Sequence, residues 1–225
     1  MSTLFIILTF LVVALIACAV WRSSNGRRAI MILGGLFAWL VWLGVNAKRG
    51  FFADFSRVPP PLVLAGVLPA ALAGLALLFY PPTRRFLHSF PAVWLIGFQA
   101  FRVPLELILW RLHGDGLLPV QMTFAGRNFD VVPALLALPV AYWVAQKKPW
   151  ARAVALAWNL LGFVMVVNVA TTGALSTPGP LRVFMNEPAN YIVGQFPFAW
   201  LPAFLAPLAL FGHLASFSQL WRARG

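Results

Sequence analysis

A polar stripe runs through one of the most hydrophobic parts of the sequence. Gln99, Arg102 and Glu106 follow one another at steps of three and four residues. On a helix these steps place side chains on one face, with Arg102 and Glu106 one turn apart. A charge at the centre of a bilayer costs about 3 kcal/mol on insertion scales, so such residues usually face protein or water and often mark function. We therefore expect a buried polar site here.

Two interpretations of the stripe stay open. Arg102 and Glu106 could form an ion pair within the helix that is purely structural, since ion pairs perturb titration without having a function. Alternatively, they bind a ligand, or Glu106 carries a proton. Pro104 lies between the two charges and cannot donate to the carbonyl of Ala100, which leaves that carbonyl free to bind.

The segment before the fifth predicted helix carries Arg127, Asn128 and Asp130. The guanidinium of Arg127 could hold an anion through two hydrogen bonds, or pair with Glu106 or Asp130. Asp is a leading N-cap residue, and Asp130 is well placed to cap the fifth helix. Gly126 permits a turn with positive φ, which would direct Arg127 sideways.

Further polar residues lie near the sixth predicted helix and beyond it. Asn168 lies at the outer end of that helix, and the following loop contains Arg182, Asn186 and Glu187. Arg182 and Glu187 form either part of the site or an incidental surface ion pair. The predicted lining of one polar cavity is Gln99, Arg102, Glu106, Arg127, Asn128, Asp130, Asn168, Arg182, Asn186 and Glu187.

The composition sets the class of protein that must position these residues. Of 225 residues, 61% are hydrophobic and 10% are charged, and the mean hydropathy is +0.85. Soluble domains are about 25% charged. Several apolar runs reach the roughly 18 to 20 residues that cross a hydrocarbon core. The sequence predicts an all-α fold: a polytopic transmembrane bundle of about seven helices forming one domain over residues 1–225. The predicted spans are 3–21, 29–46, 61–80, 91–112, 130–146, 151–171 and 195–217.

The basic residues predict the orientation. The net charge of +12 is spread in short groups between the apolar runs, which excludes a nucleic-acid-binding patch. With the amino terminus outside and the carboxyl terminus in the cytoplasm, ten Lys and Arg residues lie on the cytoplasmic side and six on the outer side. This agrees with the positive-inside rule. Residues 15–18 (LIAC) resemble a lipoprotein cleavage box, but the segment before them lacks a positive n-region, so we expect an uncleaved first helix.

Common catalytic and metal-binding patterns are absent from the sequence. One cysteine excludes an internal disulfide, and the three histidines are far apart. No Walker A, GxSxG or HExxH motif occurs. We therefore predict no catalytic residue, no metal site and no cofactor, and leave open whether the protein is an enzyme.

Four short segments carry a resemblance to a known group of proteins. They are 122–130 (MTFAGRNFD), 184–190 (FMNEPAN), 196–198 (FPF) and 212–214 (GHL). With these, the chain resembles a group of uncharacterised bacterial integral membrane proteins over roughly residues 98–220. The resemblance implies a bacterial inner-membrane location and no particular activity.

The leading functional hypothesis is a polar cavity open to the outside that binds or transports a small anionic or amphipathic molecule. Arginines outnumber carboxylates in the predicted lining, which favours an anionic or hydrogen-bonding ligand. One alternative is a membrane enzyme acting on a lipid or lipid-linked substrate, with Glu106 or Asp130 as acid or base. The other is a scaffold or subunit without a cavity. The expected partners are membrane lipid and the ligand, and the oligomeric state stays open.

Overall fold

The computed structural model describes residues 1–222, and the regular structure in that range is entirely helical. Two π-helical segments, Val63–Val67 and Leu201–Leu205, lead into the third and ninth helices. The helices are α1 (Ser2–Ser23), α2 (Gly26–Lys48), α3 (Leu68–Phe79), α4 (Pro81–His88), α5 (Ala92–Gly97), α6 (Arg102–Gly114), α7 (Val131–Ala145), α8 (Ala151–Ser176) and α9 (Ala206–Arg222). Short 3-10 turns lie at Phe51–Ala53, Phe98–Phe101, Val120–Met122 and Ile192–Gly194. The predicted all-α class is confirmed.

Within residues 1–222, five helical segments are long and apolar enough to cross a membrane: α1, α2, Ala92–Gly114, α8 and Leu201–Arg222. The segments Val63–Phe79 and Pro81–His88 meet the criterion together but are bent by 80°, so the count is six if they form one span. α7 has 15 residues and a length of about 22 Å, less than the roughly 30 Å of a hydrocarbon core. By length and composition this is a helical membrane protein whose described residues contain five or six candidate spans, where the sequence predicted about seven.

The segment Ala92–Gly114 is the central helix of the bundle. Its apolar window is 56% buried within the protein, against 28% for α1 and 22% for α2. The 3-10 turn Phe98–Phe101 interrupts it immediately before Arg102. Pro104 explains the local change because it has no N–H to donate to the carbonyl of Ala100. The most enclosed helix is therefore the one that carries the polar stripe.

Glycines let α8 and α9 approach their neighbours closely. The ring of His213 in α9 lies against Gly162 of α8, where a Cβ atom would overlap it. The side-chain amide of Gln99 lies against Gly212 in the same way. Small residues at helix interfaces permit this close packing in membranes. These two contacts fix α9 between α8 and the central helix.

Candidate functional site

Arg102 pairs with Asp130, which lies at the start of α7, and not with Glu106 on its own helix. Nη1 of Arg102 is 3.2 Å from Oδ1 of Asp130, with side chains 1% and 6% exposed. The distance is that of an ion pair, although the two groups are not aligned as a hydrogen bond. Asp130 stands at the N-cap position of α7, but its side chain makes no capping hydrogen bond. The expected capping role is therefore wrong, because the carboxylate turns to the buried guanidinium.

Asn128 connects Glu106 to the same loop. Its Nδ2 donates to Oε2 of Glu106 at 2.7 Å and to the carbonyl of Met122 at 3.1 Å. The backbone N–H of Asp130 donates to Oδ1 of Asn128 at 3.0 Å. Glu106 and Asn128 are 2% and 0% exposed. One asparagine thus fixes both the position of the Glu106 carboxyl and the turn that delivers Asp130.

Gly126 serves this loop in a different way from the one predicted. The φ angle of Gly126 is not positive. Among the described residues, the glycines with positive φ are Gly50, Gly116 and Gly179. Instead, a Cβ at Gly126 would overlap the carbonyl oxygen of Val120. The glycine is needed because two stretches of the loop backbone lie in direct contact.

The buried charges border a cavity of about 440 Å³. Arg102, Glu106, Asp130 and Asn190 contribute polar groups to its wall, and Arg57 lies at its surface end. Most of the remaining lining consists of apolar residues from α3, α6, α8, α9 and the two π-helical segments. Ligand pockets typically have volumes of about 300 to 1,000 Å³. The cavity therefore has the size of a small-molecule site and one polar region in an apolar wall.

Arg102 presents hydrogen-bond donors that no acceptor in the described part of the chain uses. Within residues 1–222, none of its nitrogens Nε, Nη1 and Nη2 makes a hydrogen bond, and the residue is 1% exposed. Leaving buried donors without acceptors costs about 1 to 3 kcal/mol or more for a charged group. A guanidinium in this state is suited to an oxygen-rich group entering the cavity.

Two loops cover one end of the cavity. Val58 and Pro60 line it from the segment before α3, and Pro178 and Leu181 line it from the segment after α8. The loops touch at Gly179, where a Cβ would overlap the carbonyl oxygen of Phe55. The φ of Gly179 is +129°, a backbone conformation that favours glycine. Below this cover, residues of α3, α6, α8 and α9 form the walls.

Arg127 and Asn168 lie apart from the buried charges. The guanidinium of Arg127 is exposed and lies 5.2 Å from the ring centroid of Phe184. Asn168 donates through Nδ2 to the backbone carbonyl of Arg127 at 2.8 Å. Of the two possibilities for Arg127, pairing with Glu106 or Asp130 is not formed within residues 1–222. Cation–π contact and loop anchoring replace it.

Arg182, Asn186 and Glu187 form a separate cluster on the last long loop. Arg182 donates to Glu187 Oε1 at 2.9 Å and to the Asn186 carbonyl at 2.8 Å. Asn186 Nδ2 donates to Oε1 of Gln121 at 2.8 Å. Hydrogen bonds from Arg182 and from the Ala189 N–H lower the pKa of Glu187 below its ordinary value. These residues support the loop and do not line the cavity.

The predicted residues thus separate into three groups. Arg102, Glu106, Asn128 and Asp130 meet at one place. Gln99 is fully buried but turns to α9, where its Nε2 donates to the Ala209 carbonyl at 3.1 Å. Four of the other five predicted residues lie in the loops, and the fifth, Asn168 on α8, bonds a loop carbonyl. Asn190 and Arg57 line the cavity and were not predicted; the apolar walls have no sequence signature that separates them from lipid-facing surface.

The described part of the chain contains no group of three or more His, Cys, Asp or Glu side chains that could hold a metal ion. No curated protein and no solved structure matches the chain. Residues 59–221 match the family described as a domain of unknown function (DUF8737), and this range includes the buried charges and most of the cavity wall. Since the match covers well over half of the 225 residues, the protein belongs to this family.

Proposed function

We propose that this protein binds an amphipathic molecule in the cavity and carries it across the membrane. The ligand has an anionic or otherwise oxygen-rich head and an apolar body. The observation that supports this is the buried guanidinium of Arg102, which lines an apolar cavity with its donors unused by protein acceptors. The head would accept hydrogen bonds from Arg102, and the body would contact the walls of α3, α8 and α9.

The charge balance of the site gives Glu106 a role in this proposal. Two carboxyl groups, those of Glu106 and Asp130, and one guanidinium, that of Arg102, border the buried end of the cavity, whereas Arg57 at the surface end pairs with Asp54. Asp130 offsets Arg102, so an anionic head entering the site would meet Glu106 as an additional negative charge. Protonation of Glu106 removes that repulsion. We therefore assign Glu106 as the proton carrier that accompanies the ligand.

The proposed setting is a bacterial inner membrane, with seven crossings and the amino terminus outside. This counts the short helix α7 and the bent α3–α4 pair as crossings in addition to the five long helices. The distribution of Lys and Arg supports the orientation. The loops that cover one end of the cavity then lie on the outer side of the membrane, so the ligand would enter from that side.

Native mass spectrometry of the purified protein tests the binding. We expect the wild type and R102K to retain an amphipathic molecule that R102Q/D130N loses, because the double variant removes both charges and leaves neither one unpaired. R111Q is the matched control: Arg111 lies on the same helix, is 62% exposed and pairs with Asp115 at 3.2 Å. Equal retention by the wild type and R102Q/D130N, or no retained molecule at all, would contradict the proposal.

A membrane enzyme is the second candidate, because Glu106 and Asp130 both line the cavity beside the proposed ligand. A carboxyl beside a substrate can act as a general acid or base. The same experiment separates the two functions. An enzyme would retain molecules of different mass in the wild type and in E106Q, corresponding to product and substrate, whereas a carrier retains the same molecule in both. The scaffold alternative has less support because it predicts no cavity beside Arg102.

A further inference from the structure

A second set of buried polar groups lies where α9 meets α8 and the central helix. Ala209, Gly212, His213 and Ser216 are all buried and follow steps of three, one and three residues on α9. These steps place them on one helix face. Polar side chains on that face are unusual within a membrane and need partners from the neighbouring helices.

The partner from α8 is Asn159, and its hydrogen bonds fix the state of the histidine. Nδ2 of Asn159 donates to the Ala155 carbonyl at 2.9 Å and to Oγ of Ser216 at 3.0 Å. Its Oδ1 must therefore accept the 3.1 Å hydrogen bond from Nδ1 of His213. With the proton on Nδ1, the neutral ring has Nε2 as a bare acceptor. No donor within residues 1–222 reaches that buried Nε2.

Gln99 joins this face to the ligand cavity. Its Nε2 donates to the Ala209 carbonyl, so its Oε1 is an acceptor, and among the described residues that oxygen has no donor. Arg102 lies one helical turn away with unused donors. Two buried acceptors without donors thus lie beside a group of donors without acceptors. Water is the molecule that both accepts from a guanidinium and donates to an amide oxygen or an imidazole nitrogen.

These groups form a polar seam, which we define as Glu106, Arg102, Gln99, His213, Asn159, Ser216 and Gln219. Gln219 continues the same face of α9 and donates to the carbonyls of Leu87 and Phe90 at 2.6 Å and 3.1 Å. The stretches from Gln99 to Glu106 and from Ala209 to Gln219 together span about 25 Å at the rise of an α-helix. That is most of the roughly 30 Å thickness of a hydrocarbon core.

We infer that the polar seam is a hydrated proton path that connects Glu106 in the ligand cavity with the opposite face of the bundle, and that His213 is its proton acceptor. The inference rests on the proposed function, because it identifies the proton as the ion that moves with the ligand. Water between Arg102, Gln99 and His213 takes the proton of the Glu106 carboxyl, which becomes a carboxylate, and passes one to Nε2. The imidazolium so formed gives its Nδ1 proton to water beside the hydroxyl of Ser216, and return of the neutral ring to the Nδ1–H tautomer completes the cycle. Neither His213 nor Ser216 lines the cavity.

The two proton-binding groups of the path, His213 and Glu106, have different neighbours. His213 faces Trp158, Asn159 and Gly162 from α8 and no charged group from that helix. On the side of the central helix, Gln99 lies against Gly212, and Arg102 is the first charged group along the seam. Glu106 faces Asn128 and Asp130 from the loop before α7. The path therefore has one cation, Arg102, between its two proton-binding groups.

Proton flux into proteoliposomes tests the path. Vesicles containing the dye pyranine receive an inward proton-motive potential from potassium and valinomycin. We expect wild-type vesicles to acidify faster than protein-free vesicles, and H213Q and Q99L to lower the protein-dependent rate by at least about tenfold, since a positioned proton carrier contributes a hundredfold or more. H113Q is the matched control, because Nδ1 of His113 bonds only the Leu118 carbonyl at 2.9 Å, outside the seam. Wild-type flux in H213Q and Q99L, or no flux above protein-free vesicles in the wild type, would overturn the inference.

Nitrogen-15 NMR of histidine-labelled wild-type protein keeps the inference testable if the variants do not fold. H88Q and H113Q assign the signal of His213. We expect the Nδ1–H tautomer and magnetisation transfer from water to Nε2; an Nε2–H tautomer or no transfer would overturn the inference. The two proposals fail separately. A diazirine fatty acid should crosslink to cavity residues in H213Q as strongly as in the wild type. If the wild type shows no cavity crosslinks, the binding proposal is contradicted at any measured rate of proton flux.

Discussion

Two arginine–carboxylate clusters in this protein use the same residue types in opposite ways. The membrane cluster consists of Arg102, Glu106, Asn128 and Asp130, and the loop cluster consists of Arg182, Asn186 and Glu187. Arg182 donates to two backbone carbonyls and to Glu187, whose side chain is 67% exposed. Arg102 is 1% exposed and makes no hydrogen bond to the described residues. Donors bonded to the surrounding loop indicate structural support, and unused donors beside a cavity indicate a binding group.

Burial also separates the energies of the two clusters. An exposed ion pair contributes about 0 to 1 kcal/mol, because water already solvates both charges. Removing one partner of a buried pair costs about 3 to 5 kcal/mol, because the other charge remains buried and unpaired. The comparison predicts large effects in the membrane cluster and small effects in the loop cluster.

The largest effect is expected for R102Q. It leaves the carboxylate of Asp130 buried without its partner, and we expect the free energy of unfolding to fall by about 3 to 5 kcal/mol. Denaturant unfolding of the protein in detergent measures this change. R182Q should lose less than about 1 kcal/mol in the same assay. R102Q/D130N should recover much of the loss, and a double variant as unstable as R102Q would contradict the pairing.

The next effect is expected for N128A, which removes the donor to Glu106 and the acceptor of the Asp130 N–H. Hydrogen bonds to charged groups contribute about 1.5 to 3 kcal/mol, so unfolding should become easier by that amount. N168A is the matched control, since Asn168 bonds one carbonyl at the edge of the loop. Equal losses of unfolding free energy in N128A and N168A would show that the membrane cluster contributes no more to stability than a hydrogen bond at the edge of a loop.

Helix packing behind the membrane cluster gives a smaller effect. G162A places a methyl group where the ring of His213 lies, and we expect a loss of about 1 to 3 kcal/mol from overpacking. At Gly35 of α2, nothing lies within 4 Å of an added Cβ. G35A should therefore leave stability unchanged or raise it slightly, because alanine favours helices. Thermal unfolding of the two variants side by side measures the difference.

The smallest effect is a pH dependence of the loop cluster. The folded-state pKa of Glu187 lies below its ordinary value of 4.5, chiefly through the hydrogen bond from Arg182. The stabilisation is therefore complete above the ordinary pKa and is lost as pH falls through the lowered one. The amide protection factors of residues 182–190, which correct for the intrinsic pH dependence of exchange, should fall at acidic pH in the wild type and stay constant with pH in E187Q. A wild-type loop whose protection does not change with pH would contradict the pairing.

The helical class and the buried stripe could be predicted because both follow from local rules. Apolar runs give helices of membrane length, and three- and four-residue steps place Arg102 and Glu106 on one face. The start of α2 was missed because polar residues open it: Asn25 caps the helix by accepting from the Arg28 N–H at 2.9 Å. Pairs between residues far apart in the sequence were harder to predict. Arg102 meets Asp130 only because the loop at Gly126 folds back on itself.

The predicted cavity lining was too wide for a physical reason. Arg182 in its loop and Asn168 on α8 satisfy their hydrogen bonds with backbone carbonyls of the loops, and sequence spacing cannot show this. The seam was missed for the opposite reason. Asn159 and His213 are single polar residues on separate helices, and only their mutual hydrogen bond shows which nitrogen of His213 is bare.

Photo-crosslinking with a diazirine fatty acid tests the central claim most directly. With the diazirine on the tail, the account predicts crosslinks to cavity residues such as Val67, Val167 and Leu210 that unlabelled fatty acid abolishes and that R102Q/D130N lacks. Ile7 and Phe37 are 58% and 63% exposed outside the cavity and report non-specific labelling from the bilayer. Crosslinks distributed equally over α1, α2 and the cavity, without competition, would contradict the account.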